Sequence, residues 1–299
     1  MEPVLVTGSS GLVGYRVAEQ LQQSGVDVLG VDLRPVDAPF PSVVGDIADL
    51  ASMRSLIEGR PNVVHSGAVS GPMLMLDNPH GIAQANLGGA MVMFEACRQA
   101  GVRRLVWLSS IAVYGDQPTL DPIPETAALN PQSFYGHTKA AGELLLHAYV
   151  TRYGLDAVAL RLSSVFGVRR QTACGLRSVI EAGRDGRPAT VAAEGTSYRQ
   201  YLHVDDSSEA VLLALSAPSV PQLFYNITGG TYLTEAALAA ILQDLLPDLV
   251  TIPGPPAWNE GYLGPLLIDA AKRDLGYAPG IDLRAGLAAL VERLKQGTT

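Results

Sequence analysis

The sequence predicts a doubly wound α/β fold, a parallel sheet with helices on both faces, and three observations carry the prediction. Short apolar strands alternate with helix-period stretches over the first two thirds of the chain. The first strand runs straight into a glycine-rich turn, Gly8-Ser9-Ser10-Gly11-Leu12-Val13-Gly14. Beyond Gly167 the alternation breaks down, which predicts a main domain over 1–166 and a smaller C-terminal lobe over 167–299, with some later segments returning to the main sheet.

The elements follow in order. Val4–Thr7 is a buried-type strand, and a helix starts near Gly11. Val26–Asp32 is a second strand, Ser42–Val44 a short third, and Leu50–Glu58 a helix. Asn62–His65 is the fourth strand, entering the small-residue turn Ser66-Gly67-Ala68. Helical period runs from Ile82 to Gln99, with Ala90, Met91, Phe94 and Cys97 on related faces. Arg104–Leu108 is the fifth strand, ending in Ser109-Ser110. A proline-rich loop precedes a helix over Ser133–Arg152, and Ala157–Arg161 is the sixth strand. Later come helices near Leu176–Arg184, Val204–Ala217, Thr234–Leu246 and Arg284–Lys295, and a strand at Phe224–Ile227. Pro253-Gly254-Pro255-Pro256 reads as a loop.

The bulk numbers exclude several classes. At 299 residues, 47% hydrophobic and 17% charged, the composition is that of a globular enzyme. A net charge of −8 argues against nucleic acid as a partner, which would need clustered Lys and Arg. No apolar run reaches membrane-spanning length, and Met1-Glu2-Pro3 leads directly into the first strand, so a cytoplasmic protein is expected. Cys97 and Cys174 suit small buried residues in a reducing compartment. His65, His80, His137, His147 and His203 show no i, i+4 pairing and no cysteine partner, so no metal is expected.

The opening turn is an anion site. A strand ending at Thr7 delivers the chain to a helix whose free N–H groups, at Leu12 and Val13 among others, face any ligand there. Gly8 permits the turn, Gly11 lets the backbone approach a pyrophosphate, and Gly14 lets helix and strand pack closely. Asp32 ends the second strand, at the distance beyond Gly14 expected of a carboxylate that bonds an adenosine ribose. That carboxylate would repel a 2′-phosphate and favours NAD. Arg34, just beyond it, keeps NADP open. Ligands of open α/β sheets bind beyond the carboxyl ends of the strands, so Ser66-Gly67-Ala68 and Ser109-Ser110 lie on the same rim.

Tyr135 and Lys139 stand at i and i+4 at a helix start, on one face. Ser110 precedes them on that rim, at the end of the fifth strand. Tyrosine titrates near pH 10, so taking an alcohol proton at neutral pH needs its pKa lowered by roughly three units, about 4 kcal/mol. An adjacent ammonium and a positive nicotinamide ring would supply this, while Ser110 holds the reacting oxygen.

Thr7-Gly8-x-x-Gly11-x-x-Gly14, Ser110, Tyr135-x-x-x-Lys139 and Ser109-Ser110-Ile111-Ala112-Val113-Tyr114-Gly115 together resemble the extended short-chain dehydrogenase/reductases, a Rossmann-type family, and within them the NAD-dependent epimerase/dehydratase group. Gly45-Asp46-Ile47 is similar to that group's adenine-contacting element, His65-Ser66-Gly67-Ala68 to its His-x-Ala-Ala turn, and Asn86 to its central-helix Asn. Tyr201–Asp206, Tyr225–Gly230 and Asp269–Tyr277 resemble later signatures, so the likeness spans the chain. The resemblance implies Ser110, Tyr135 and Lys139 as catalytic residues. It implies NAD held by Gly8, Ser10, Gly11, Leu12, Val13, Asp32, Arg34, Asp46, Ile47, Ser66, Gly67, Ala68, Asn86, Leu108, Tyr135 and Lys139. Ser70, Gly71, Ser110, Ser164 and Arg199 would meet substrate.

Some positions depart from the group's pattern. Ser164 stands where nucleotide-sugar enzymes carry Asn, Gln200 follows Arg199 where Asp is usual, and no Arg lies between Pro253 and Asp269 to grip a diphosphate. Arg169, Arg170 and Arg199 remain as candidates. The expected reaction is oxidation of a secondary alcohol on a carbohydrate-like substrate through a keto intermediate, of the epimerase type. A net dehydrogenase of a free sugar or sugar acid, and a non-catalytic NAD-binding regulator, are the alternatives. The dehydratase branch usually has Asp-Glu where Ile111-Ala112 follow Ser110. The resemblance also implies a homodimer formed by the Ile82–Gln99 and Ser133–Arg152 helices; Met93, Leu145 and Leu146 suit burial in such a dimer and equally suit packing on the sheet.

Overall fold

The computed structural model describes residues 1–299 apart from 171, 173, 193–196, 255–261 and 297–299. Pro255 and Pro256 therefore lie outside the described residues. β1 (Val4–Thr7), α1 (Leu12–Gln23), β2 (Val28–Asp32), β3 (Ser42–Val44), α2 (Leu50–Ile57) and β4 (Asn62–His65) open the chain. α3 (Pro79–Ala83) passes through a π turn at Gln84–Gly88 into α4 (Gly89–Ala100). β5 (Arg104–Ser110), α5 (Phe134–Tyr153), β6 (Ala157–Leu162) and β7 (Ser164–Phe166) follow. Then come α6 (Gly175–Arg184), β8 (Ala189–Ala192), β9 (Tyr198–His203), α7 (Val204–Ser216), β10 (Phe224–Ile227) and β11 (Tyr232–Thr234). α8 (Glu235–Leu245), β12 (Thr251–Gly254), α9 (Asp269–Leu275) and α10 (Leu283–Lys295) complete it.

The main sheet is parallel, in the order β10-β6-β5-β4-β1-β2-β3. β1, β4 and β6 are buried along their whole length, as strands covered on both faces must be. One face packs Val17, Ala18 and Leu21 of α1 with Ala210, Val211 and Ala214 of α7; the other packs Met53 of α2 with Phe94 and Leu146 of α4 and α5. A third cluster joins α6, α8 and α10 around Ile180, Leu242, Leu287 and Val291.

Local chemistry sets the helix ends that position the site. The Ser133 hydroxyl accepts the Gly136 N–H at 3.0 Å and starts α5; Gly154, with φ +69°, ends it in the left-handed region that favours glycine. Asn78 caps α3 through the Gly81 N–H at 2.9 Å, with Pro79 in the first turn.

Several expectations change. The central helix begins at Pro79, earlier than Ile82, and carries a π turn. Met91 is 46% exposed, whereas Met93 is buried with Ala90, Phe94 and Cys97. Of the two options open for Met93 and Leu146, packing on the sheet is the one observed: both lie in the chain's own core. Cys97 is buried as expected, but Cys174 caps α6 and is only half-buried. The second strand begins at Val28 because Val26 still belongs to the turn closing α1, its N–H bonding the Leu21 carbonyl at 3.0 Å. α9 is a seven-residue helix that buries Ala270, Ala271 and Leu275.

Candidate active site

A cavity of about 1080 Å³ runs along the carboxyl edge of the sheet and on toward α6 and α8. Every residue expected at the site lines it except Asn86. Its size exceeds the range usual for one drug-sized ligand, leaving room for a dinucleotide with a second molecule.

Its first half is a cradle shaped by missing side chains. Gly8 has φ +70°, and a Cβ on it would lie 2.7 Å from the Gly67 nitrogen, so the turns after β1 and β4 touch backbone to backbone. A Cβ on Gly14 would lie 2.3 Å from the Gly8 carbonyl oxygen. Gly11 caps α1 with no side chain, and the first turn holds no acid, so the leading N–H groups of α1 are free for an anion. At the end of β2 the Asp32 carboxylate accepts the Ser10 N–H and the Arg34 N–H, both at 3.1 Å. The exposed Arg34 guanidinium reaches the Ser10 hydroxyl at 3.5 Å. Asp46 accepts the Ala48 N–H at 2.9 Å, and Ile47 packs on the backbones of Gly67 and Gly89. These features fit a dinucleotide: bare helix N–H groups for a pyrophosphate and a carboxylate at the distal end for ribose hydroxyls.

The rim below is fixed by a short relay. Ser66 donates its hydroxyl to the Thr7 carbonyl at 2.6 Å, and Thr7 Oγ1 accepts the Gly67 N–H at 3.2 Å. Thr7 Oγ1 is also hydrogen-bonded with His65 Nδ1 at 2.7 Å. Burial, aided by the Lys139 charge, pulls His65 down to about 3, so it is neutral. Asn86 is 3% exposed and turned inward by the π turn. Its amide accepts the Val69 N–H at 2.7 Å and donates to the Val69 carbonyl at 3.1 Å and to Thr138 Oγ1 at 3.2 Å. Asn86 thus clamps the strand-to-loop segment leading to Ser70 and has no face toward the cavity.

The catalytic candidates converge. Tyr135 is 7% exposed and its phenol is hydrogen-bonded by the hydroxyls of Ser110 and Ser70. Ser110 Oγ accepts the Ala112 N–H at 3.2 Å, which fixes its rotamer. Lys139 is 4% exposed, donates to the Leu108 carbonyl at 2.7 Å and stands 5.0 Å from the centre of the Trp107 ring. Burial lowers its pKa to about 8, with the Glu143 carboxylate opposing. Burial pushes Tyr135 above its usual value, outweighing the two serine bonds and the Arg170 charge. Loop position alone points Ser70 at substrate; its contact with Tyr135 comes from tertiary pairing of segments far apart in the chain.

The far half is lined by Ser164, Arg199 and apolar side chains of α6 and α8. Gly71, with φ +132°, opens the loop that carries Met73 over the cavity. Arg199 is 6% exposed and ion-paired with Glu235, which also accepts the Ala192 N–H at 2.9 Å. Arg169 lies 3.6 Å over the Tyr15 ring, and Arg170 donates to the Val165 carbonyl. Gln200, where an Asp is usual, is buried and bonds the Gly264 carbonyl at 3.0 Å and the Leu266 N–H at 2.7 Å, so it braces a loop. His203 caps α7 through the Asp205 N–H at 3.2 Å. Among the described residues no cluster of three His, Cys, Asp or Glu suits a metal ion, and no helix is long and apolar enough to cross a membrane.

The site and fold have close counterparts among known proteins. The sequence pattern of the family described as "NAD dependent epimerase/dehydratase family" matches residues 4–228. The UDP-glucose 4-epimerase of Mycolicibacterium smegmatis is 31% identical over 309 residues, 96% of this chain and 97% of that protein. The crystal structure of UDP-glucose 4-epimerase with UDP-glucose from Thermotoga maritima superposes with a TM-score of 0.90 at 26% identity, covering 99% of both chains. That of the Thermus thermophilus UDP-glucose 4-epimerase complex with NAD gives 0.87 at 28%, covering 97% of this chain and 98% of that one.

Proposed function

Since the chain belongs to the NAD-dependent epimerase/dehydratase family, we propose that it inverts a stereocentre of a sugar nucleotide by oxidising a secondary alcohol to a ketone and reducing it on the opposite face. The observation that carries this is the meeting of Ser110, Tyr135 and Lys139 at the end of the dinucleotide cradle.

NAD, when bound, would supply reversible hydride-accepting chemistry. Gly8, Gly11, Leu12 and Val13 would hold its pyrophosphate, and Asp32 its adenosine ribose. Tyr135 takes the substrate hydroxyl proton and gives it back. Ser110 orients the reacting oxygen, and Ser70 steadies the phenolate from the other side. The lowering that Tyr135 needs comes from positive charge at the loaded site, the Lys139 ammonium among it. The apolar far half closes water away from the ketone.

The Arg199–Glu235 ion pair favours a second reading, net dehydrogenation of a substrate that bears no diphosphate, because the guanidinium spends its charge within the protein. One experiment separates the two. The protein is incubated with NAD and, separately, UDP-glucose, UDP-galactose, UDP-glucuronate and free sugar acids, and products are resolved by NMR. A changed stereocentre without net NADH supports epimerisation. Stoichiometric NADH from a free sugar acid would replace it with the second reading.

The same proposal places the cofactor domain in residues 1–166 and most of the substrate lobe in 167–299, with β10 returned to the main sheet. It also places a homodimer on α4 and α5, supported by Met91 and Leu144, which are 46% and 69% exposed in mid-helix. Two free thiols, Cys97 and Cys174, support work in a reducing cytoplasm.

A further inference from the structure

Beneath the tyrosine and lysine lies a third buried charge. Glu143, one turn past Lys139 on α5, is 1% exposed, and Arg161 on β6 is 3% exposed. The Glu143 carboxylate accepts the Ser109 hydroxyl at 2.6 Å and Arg161 Nη2 at 2.6 Å, with Arg161 Nε at 2.9 Å. Arg161 Nη1 donates to Tyr114 Oη and to the Glu125 carbonyl, both at 2.7 Å. Tyr114 Oη in turn donates to Asn226 Oδ1 at 2.7 Å. A buried carboxylate survives in such a place only with this degree of partnering.

The network meets the chemistry through three consecutive residues of β5. The Leu108 carbonyl is held by Lys139, the Ser109 side chain by Glu143 and the Ser110 side chain by Tyr135. The three partners on α5 are spaced by four, so one helix face and one strand end are fastened together across the reacting edge.

We propose that Glu143 is a positioning residue of the active site, holding Lys139 charged and docked on Leu108 so that Tyr135 faces a cation. The proposal rests on the reading of Tyr135 and Lys139 as the acid–base pair. The groups facing Lys139 come from four elements: Tyr135 and Glu143 on α5, neutral His65 on β4, the Trp107 ring on β5, and Arg161 on β6 as the counter-ion of Glu143. Glu143 is the anion acting on the ammonium, against the pull of burial. Arg161 pairs with that carboxylate at 2.6 Å, and Ser109 aims it.

Trp107 offers a readout that needs neither substrate nor NAD, because loss of the ammonium near its ring changes the indole emission. Trp258→Phe leaves Trp107 as the one tryptophan. In that protein a fluorescence step is expected near pH 8, absent once Lys139→Met is added. Glu143→Gln moves the step down by about one to two pH units. Since it leaves Arg161 uncompensated, Glu143→Gln/Arg161→Met is measured beside it, with the same direction expected. A step that stays near pH 8 in both overturns the proposal, as does a step that survives Lys139→Met. Shifted steps in a protein inactive on every sugar nucleotide leave this inference standing and count against the proposed reaction.

Discussion

At the scale of single residues, the site sets catalytic need against stability. Replacing Tyr135 with Phe is expected to cut turnover about 10²- to 10⁴-fold while leaving NAD affinity within a few-fold, read by steady-state rates and a cofactor titration. Lys139 carries the opposite tension. Its fall from 10.5 to about 8 means that burying the ammonium costs about 3 kcal/mol. The sign is that of a depressed base: the cost is borne in full below pH 8 and is relieved as pH climbs toward 10.5, where the unfolded chain still binds the proton and the folded one does not. Lys139→Met should therefore raise unfolding free energy by about 2–3 kcal/mol at neutral pH, with the gain shrinking in alkali, while abolishing turnover. Denaturant titrations at both pH values check it; an equal gain at each would refute the charge explanation. The phenol gives a third outcome. Tyrosinate absorbance should appear at lower pH in the NAD-loaded protein than in the protein alone, where burial holds Tyr135 up.

At the scale of elements, the strand–turn–helix opening is the most constrained piece of backbone. A Cβ on Gly14 meets the Gly8 carbonyl at 2.3 Å and the Ser66 hydroxyl at 2.4 Å. Gly14→Ala should cost about 1–3 kcal/mol and weaken NAD binding, as thermal melts and a cofactor titration would record. This opening is legible in the sequence because its signals are local: glycines, an apolar run, a carboxylate at a fixed spacing. α5 is legible for the same reason, with Ser133 before it and Gly154 after it. The parts that are not legible depend on pairing between distant segments. Ser70 reaches Tyr135, Ser109 reaches Glu143 across 34 positions, and Gln200 bonds a loop 64 residues on. Asn86 is recognisable by type but not by role, since only the π turn shows which way its amide faces. In α4 the buried set 90, 93, 94 and 97 is the i, i+3, i+4, i+7 ladder from Ala90, and Met91 falls one residue off it.

At the scale of the molecule, α5 is inverted for a surface helix: Lys139 and Glu143 point inward while Leu144 lies open. Leu144→Glu should convert a dimer to monomer in sedimentation velocity without altering the far-ultraviolet spectrum, and a parent that already sediments as a monomer removes the dimer. The return of β10 to the sheet has its own consequence, in time rather than space. Four residues of β6 find their outer neighbour only when Phe224–Ile227 arrives, long after β6 itself ends at Leu162. At ordinary elongation rates the ribosome needs about 3–12 s to cover that stretch. Throughout that interval the nascent sheet presents an open, apolar edge, the kind that recruits strangers. Slowing translation between these codons should raise the aggregated fraction, and speeding it should spare the chain its chaperones.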